Sequence, residues 1–163
     1  MAKNKEEKTN VMRVLDQKKI AYTAHTYPHE EGMAVDGVTV AKSMGFDPAI
    51  VFKTLVARGA SKQYYVFDVP VAENLDLKKA AKAVGEKSIE MIHQKELLPL
   101  TGYVHGGCSP VGMKKLFPTV FHETAENLAA MIVSAGKIGY QVELAPRDLA
   151  ALVRAKFADI IVE

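Results

Sequence analysis

A chain of 163 residues, 48% hydrophobic and 25% charged, has the make-up of one ordinary globular domain and excludes a disordered chain. Its 21 basic and 19 acidic residues leave a formal charge of +2, too balanced for a protein that coats long stretches of nucleic acid but compatible with one that touches a short RNA end. No apolar run approaches the roughly 20 residues of a membrane helix, no apolar stretch follows the charges of MAKNKEEKTN, and Cys108 has no second cysteine to pair with. The expected location is the cytoplasm, with no signal peptide, no disulfide and no membrane partner.

Residues Glu6 to Lys19 predict an amphipathic helix, because Val11, Met12, Val14 and Leu15 fall on one side at helical spacing. Ile20 to Tyr27 alternates like a strand and Pro28 ends it; His29 to Val38, with Gly32 and Gly37, reads as a loop. A short helix over Thr39 to Met44 stops at Gly45. Ile50 to Ala57 and Tyr64 to Val69 are strands, and Arg58 to Gln63, with Gly59 and Ser61, suits the hairpin between them. Leu75 to Val84 is helical up to Gly85, and Glu96 to Leu98 closes a helical turn before Pro99. Gly102 to His105, Val120 to His122, Met131 to Ser134 and Gln141 to Leu144 are candidate strands. Pro146 fits the first turn of a helix through Ala155, and Ile160 to Val162 reads as a last short strand. Helices and strands mix without βαβα alternation, so the prediction is a single α/β domain over residues 1–163 on a mixed, largely antiparallel sheet.

Three segments carry chemistry. In VFKTLV, Val51, Lys53 and Leu55 share one face of the strand and Phe52, Thr54 and Val56 the other. Both faces are mostly apolar, so the strand is expected to be covered on both sides, where a lysine is anomalous. Either the Lys53 stem lies on the sheet with its amine in water, or its charge forms the floor of a pocket for an anionic or carbonyl-bearing ligand. In YVHGGCSPVGMKK, Gly106, Gly107 and Gly112 follow a candidate strand, so backbone N–H groups can approach a ligand or simply turn the chain. The segment is no ATP-binding loop, because Met113 stands where the lysine belongs. In SAGKIGYQVEL, Ser134 ends an apolar strand and Gly136 and Gly139 flank Lys137, which suits either a hairpin or a presented hydroxyl. Cys108 reads as a small apolar filler or a nucleophile, and the five histidines show no metal-binding spacing.

In chain order, HTYPH (His25 to His29), VFKTLV (Val51 to Val56), PVAENLDLKKAAKAVG (Pro70 to Gly85), TGYVHGGCSPVGMKK (Thr101 to Lys115), SAGKIGYQVEL (Ser134 to Leu144) and KFADI (Lys156 to Ile160) resemble segments of the YbaK/EbsC family of prolyl-tRNA editing proteins, the Cys-tRNA(Pro) deacylases. The resemblance runs across nearly the whole chain. It implies one domain on a mixed, barrel-like sheet wrapped by helices, with a pocket for the aminoacylated 3′ end of tRNA. Lys53 would be the essential residue there, near the terminal adenosine and the ester, with Tyr27, Thr54, Gly106 and Ser134 lining the same pocket.

The resemblance further implies that no protein nucleophile, metal or cofactor takes part: the substrate cysteine's own thiol attacks its ester and leaves as a thiolactone. Gly106 and Gly107 could then offer backbone N–H groups to the developing oxyanion. Asp36 stands where some members carry an aromatic residue, and Gln141 where some carry an aspartate. These two departures keep open removal of alanine, as in related editing proteins; a non-enzymatic RNA-end or nucleotide-binding module, and a hydrolase dependent on Cys108, also stay open. The expected partner is the acceptor end of an aminoacylated tRNA, with prolyl-tRNA synthetase as a candidate for delivering it, and not DNA. Lys78, Lys79, Lys82, Lys114, Lys115 and Lys137 are candidates for the surface facing the acceptor stem, or solvated helix and turn faces.

Overall fold

The computed structural model describes residues 8–30 and 33–163 of the chain. Thr9 opens the first helix by accepting the Met12 N–H at 3.3 Å. Helix α1 (Asn10–Gln17) buries Val11, Met12 and Leu15, the side that its spacing predicts; Glu6 lies outside the described residues. Strand β1 (Thr23–Thr26) follows, and helix α2 (Gly37–Ser43) starts two residues earlier than predicted because Asp36 caps it, taking the Thr39 N–H at 3.1 Å. Of the predicted loop between them, Glu31 and Gly32 lie outside the described residues. Strands β2 (Phe52–Gly59) and β3 (Tyr64–Pro70) form the predicted hairpin, with Thr54 paired to Asp68 and Val56 to Val66. Helix α3 (Leu77–Val84) begins at Asp76, whose carboxylate takes the N–H groups of Lys78 and Lys79, and ends at Gly85 in the left-handed conformation.

The remaining elements are β4 (Ile89–Met91), α4 (Gln94–Thr101), β5 (Thr119–His122), β6 (Met131–Ser134), β7 (Tyr140–Leu144), α5 (Pro146–Val153) and β8 (Lys156–Ala158). They make two sheets, one ordered β1-β7-β6 and one ordered β4-β2-β3-β5-β8. Four of the six strand pairings are antiparallel, and β3–β5 and β5–β8 are parallel, as a mixed, largely antiparallel sheet requires. The barrel is not closed: among the described residues the sheets are bridged only where Val51 meets Ile132.

Three local predictions need correction. Gly102 to His105 is not a strand but the exit from α4: the Thr101 hydroxyl donates to the Leu97 carbonyl at 2.7 Å and accepts the Tyr103 N–H at 3.0 Å, so the helix end consumes the bonding that a strand would use. The helical turn expected to end before Pro99 continues through it as α4. Ile160 to Val162 makes one isolated bridge, Leu75 to Ile161, and the strand at this edge is β8 instead.

The main core lies between the two sheets, with Phe52, Val56, Val66 and Phe121 from one meeting Met131, Val133, Val142 and Leu144 from the other. A second cluster, including Ala57, Phe67, Val69, Ala80, Ala81 and Ile160, sits under α3 on the opposite face of the larger sheet. Strand β2 is therefore covered on both faces, as its apolar pattern predicts. Asp76→Ala removes both bonds at the start of α3 and should lower stability by about 1 kcal/mol. The urea midpoint of unfolding measures the loss, and an unchanged midpoint would show that the cap contributes nothing.

Candidate functional site

A cavity of about 500 Å³ opens where the start of β2 meets β6 and β7. Its walls include Tyr27, Asp36, Lys53, Thr54, Gly106, Ser134 and Gln141, which come from separate segments of the sequence and which the fold brings together. Gly107 is buried beside the cavity and does not line it, and its N–H already donates to the Val104 carbonyl at 3.0 Å. The Gly106 N–H has no acceptor among the described residues.

The two glycine-rich segments build this corner together. Gly106 has φ +90, and a Cβ there would stand 2.7 Å from the Ala34 Cβ. At Gly107 a Cβ would meet backbone, 3.0 Å from the Ile138 nitrogen and 3.2 Å from the Lys137 Cα. Only glycine lets the loop approach the 136–139 turn this closely. That turn is anchored in turn, because the Tyr27 N–H donates to the Gly139 carbonyl at 2.9 Å and Ser134 Oγ accepts the Gly136 N–H at 3.3 Å.

The charges of the cavity are unevenly placed. Lys53 is half-buried, and burial pushes its amine below the usual lysine range, while the Asp36 and Glu73 carboxylates partly restore it. Asp36 is held by its cap to α2, where it takes both the N–H and the hydroxyl of Thr39, so its position beside the cavity does not depend on a ligand. Gln141 is 7% exposed, and its Oε1 has no hydrogen-bond partner among the described residues. A buried amide oxygen without a donor is costly, so a ligand donor at this point would be favoured.

Sequence reasoning passed over His105, Tyr140 and the apolar lining, which includes Ala34, Val35, Val40, Phe52, Val71 and Leu97. It also passed over Asp68. This residue lies behind Thr54, 0% exposed, and accepts the Thr54 hydroxyl on Oδ1 at 2.5 Å. Burial raises its carboxyl to about 7, which the Thr54 hydrogen bond only partly offsets. The signal was present as an aspartate inside the apolar run YYVFDVP. Cys108 lines the cavity too, yet burial, with the Asp68 charge adding to it, pushes its thiol up to about 12. A thiol held protonated in this way is a poor nucleophile. No group of His, Cys, Asp and Glu suited to a metal occurs among the described residues.

Of the candidate acceptor-stem lysines, Lys79 is spent within the fold: its amine lies 3.0 Å from Asp159 and 2.9 Å from the Ile161 carbonyl. Lys114 reaches the Pro99 carbonyl at 3.2 Å, and the Lys137 amine stands 5.3 Å from the centre of the Tyr140 ring. No described helix is long and apolar enough to cross a membrane.

A mixed α/β domain with one polar, lysine-bearing cleft between two sheets is the class that fold and site define. The family model for the aminoacyl-tRNA editing domain matches residues 29–152. The chain belongs to that family, as the order of its motifs implies. It is 46% identical over 161 residues, 98% of both chains, to the Enterococcus faecalis protein named "Putative Cys-tRNA(Pro)/Cys-tRNA(Cys) deacylase EbsC". A crystal structure of "a putative trans-editing enzyme for prolyl tRNA synthetase" superimposes with TM-score 0.79 at 24% identity, over 97% of this chain and all 100% of that one. Another, of a hypothetical protein, gives TM-score 0.83 at 19% identity over 94% of this chain and 100% of that one. These two structures bear on the fold.

The buried Asp68 has a consequence for stability. Below about pH 4 the carboxyl is protonated in folded and unfolded chain alike; as the pH rises, the unfolded form ionises first and the folded form resists until about 7. Asp68 therefore costs stability progressively across that interval and fully above it. Asp68→Asn should raise the melting temperature relative to the native protein more at pH 8 than at pH 5. Calorimetry at the two pH values checks this, and an equal difference at both would show that the carboxyl is not held up by the fold.

Proposed function

We propose that the protein is a free-standing deacylase that removes cysteine misattached to tRNA(Pro), and that the cavity receives the aminoacylated 3′ end. The observation that supports this most is the gathering of Lys53, Thr54, Gly106, Ser134 and Gln141 around one cleft in a chain of the editing family, 46% identical to the Enterococcus faecalis relative. The cleft is large enough for a terminal adenosine with its ester, since ligand pockets begin at roughly 300 Å³.

Lys53 takes an anionic or ester oxygen at the cleft floor and fixes the adenosine end. The Gly106 N–H is placed to serve the developing oxyanion, a contact worth about 3 kcal/mol where such donors have been removed. The unpartnered Gln141 Oε1 accepts from a substrate donor, and its neighbour Ser134 contributes a hydroxyl. Asp36 sets a negative charge beside Lys53 for the α-ammonium group.

With Cys108 held as a neutral thiol, the nucleophile comes from the substrate. The substrate sulfur forms a bond to its own carbonyl carbon, the ester C–O bond breaks, and the thiol proton passes to the departing ribose oxygen. The products are a thiolactone, which water then opens to cysteine, and deacylated tRNA. Holding sulfur against carbonyl replaces an encounter in solution with an intramolecular step, and effective molarities show how large that gain becomes. Alanine and proline carry no such nucleophile, which accounts for selectivity without a tight side-chain pocket. The modest net charge fits a small RNA footprint, with prolyl-tRNA synthetase as the partner that would deliver the acceptor end.

Release of labelled amino acid from Cys-tRNA(Pro), beside Ala-tRNA(Pro), tests the proposal. Cysteine should be lost and alanine retained, and Lys53→Ala should lower the cysteine rate by about 100-fold or more, the scale of one lost transition-state contact, with the fold intact by circular dichroism. Cys108→Ala should keep most of the activity. Release of alanine alone would move the protein to the sister specificity; release of neither would leave a binding module; a dead Cys108→Ala protein would restore the cysteine as nucleophile.

A further inference from the structure

Thr54 stands between the cavity and the core. Its side chain lines the cavity, and its hydroxyl donates to Asp68 Oδ1 at 2.5 Å across β2 and β3, where the two residues are direct register partners. Asp68 is wholly buried, and its second oxygen, Oδ2, has no hydrogen-bond partner among the described residues. A hydroxyl has one proton and two lone pairs. While it donates to a carboxylate, it can offer a ligand only a lone pair. When the acid is neutral and donates its own proton to the hydroxyl oxygen, the Thr54 proton is free to turn towards the cavity.

We propose that Asp68 is a positioning residue of the editing site, which through its carboxyl proton sets whether the Thr54 hydroxyl accepts from the aminoacyl end or donates to it. This inference rests on the deacylase reading. With Asp68 ionised, Thr54 presents an acceptor suited to an α-ammonium or a ribose hydroxyl. With Asp68 neutral, it presents a donor suited to the ester carbonyl oxygen. The substrate offers both kinds of group within a few ångströms, so the change of polarity alters how it is held.

The surroundings keep this proton local. β2 supplies Thr54 and, lining the same cavity, Lys53, which is not among the groups that shift the Asp68 carboxyl. β5 places Phe121 opposite Asp68. The segment after α4 supplies Cys108, whose thiol burial keeps protonated. No charged side chain accounts for the Asp68 shift: burial raises the carboxyl to about 7 and the Thr54 bond is the counterweight. Both states are therefore populated near neutral pH.

The experiment measures kcat/KM for Cys-tRNA(Pro) deacylation from pH 5.5 to 9 in the native protein, Asp68→Asn, Thr54→Val, Thr54→Ser and the Asp68→Asn/Thr54→Val double variant. In parallel, 13C NMR follows the Asp68 carboxyl and the Thr54 methyl group across the same range. The substrate's own amine and thiol titrate alike in every assay, so the differences between variants carry the result. The native profile should bend near pH 7. That bend should vanish in Asp68→Asn and in Thr54→Val and persist in Thr54→Ser. Thr54→Val should lose about tenfold in rate, the scale of one hydrogen bond, and the double variant should lose no more. A bend retained in Asp68→Asn or in Thr54→Val, or multiplicative losses in the double variant, would overturn the proposal. Should the native protein release no amino acid, the deacylase reading fails and NMR decides this one. A Thr54 methyl signal that shares the Asp68 midpoint and goes flat in Asp68→Asn supports it, whereas a signal indifferent to the carboxyl sinks it.

Discussion

Everything in the cleft depends on how the two sheets are held against each other. One wall, with Lys53 and Thr54, belongs to the larger sheet; the other, with Ser134 and Gln141, belongs to the smaller. Among the described residues their backbones meet only at the bridge between Val51 and Ile132, so side-chain packing must supply the rest. It does so through Phe52, Val56 and Phe121 against Met131, Val133 and Val142, all nearly inaccessible to water. Close-packed interiors have low compressibility and do not deform continuously. The separation of the two walls is thus set by the core, and a ligand meets a cleft already shaped.

The alternation of the smaller sheet divides its labour. Val133 and Val142 are cross-strand partners that face the core, and Ser134 and Gln141 are the next pair, which face the cleft. His25 extends the cleft-side row, since it pairs with Gln141 on β1 and reaches Glu143 at 2.8 Å. One strand pair therefore delivers the hydrophobic anchor and the polar lining at once, because successive side chains point to opposite faces. A register slip of one residue would put Gln141 in the core and Val142 in the cleft, so the core packing also protects the chemistry.

Much of this was legible in the sequence, for reasons that single residues make clear. β2 and β3 stand out because their apolar runs are bounded by turn residues, and Lys53 stands out because a lysine interrupts a strand apolar on both faces. Asp68 interrupts β3 in the same way and went unread, although an aspartate among Val66, Phe67 and Val69 is no less anomalous than a lysine in VFKTLV. β4 and β8 escaped because three residues, with Glu90 or Lys156 among them, carry too little periodicity to register. The stretch after Thr101 misled for the opposite reason: Tyr103 and Val104 look strand-like, while the Thr101 hydroxyl and the left-handed Gly102 fold them into a helix exit. That the Gly106 loop lies on the 136–139 turn could not be read at all, since contact between segments thirty residues apart leaves no local signature.

The burial that keeps the Cys108 thiol protonated also explains why a neighbouring acid can remain neutral. Asp68 sits on the core side of Thr54 and Cys108 at the cavity wall, and both are buried among apolar side chains of the core. A low-dielectric setting disfavours every uncompensated charge, whether thiolate or carboxylate. Lys53, half-exposed at the cleft and facing Asp36 and Glu73, keeps partners that favour its charge. The site thus places its cation at the water side and its titrating acid at the dry side, with a single threonine hydroxyl between cleft and core. Under the proposed reading, a protein so arranged would contribute field and position, and the substrate its own thiol.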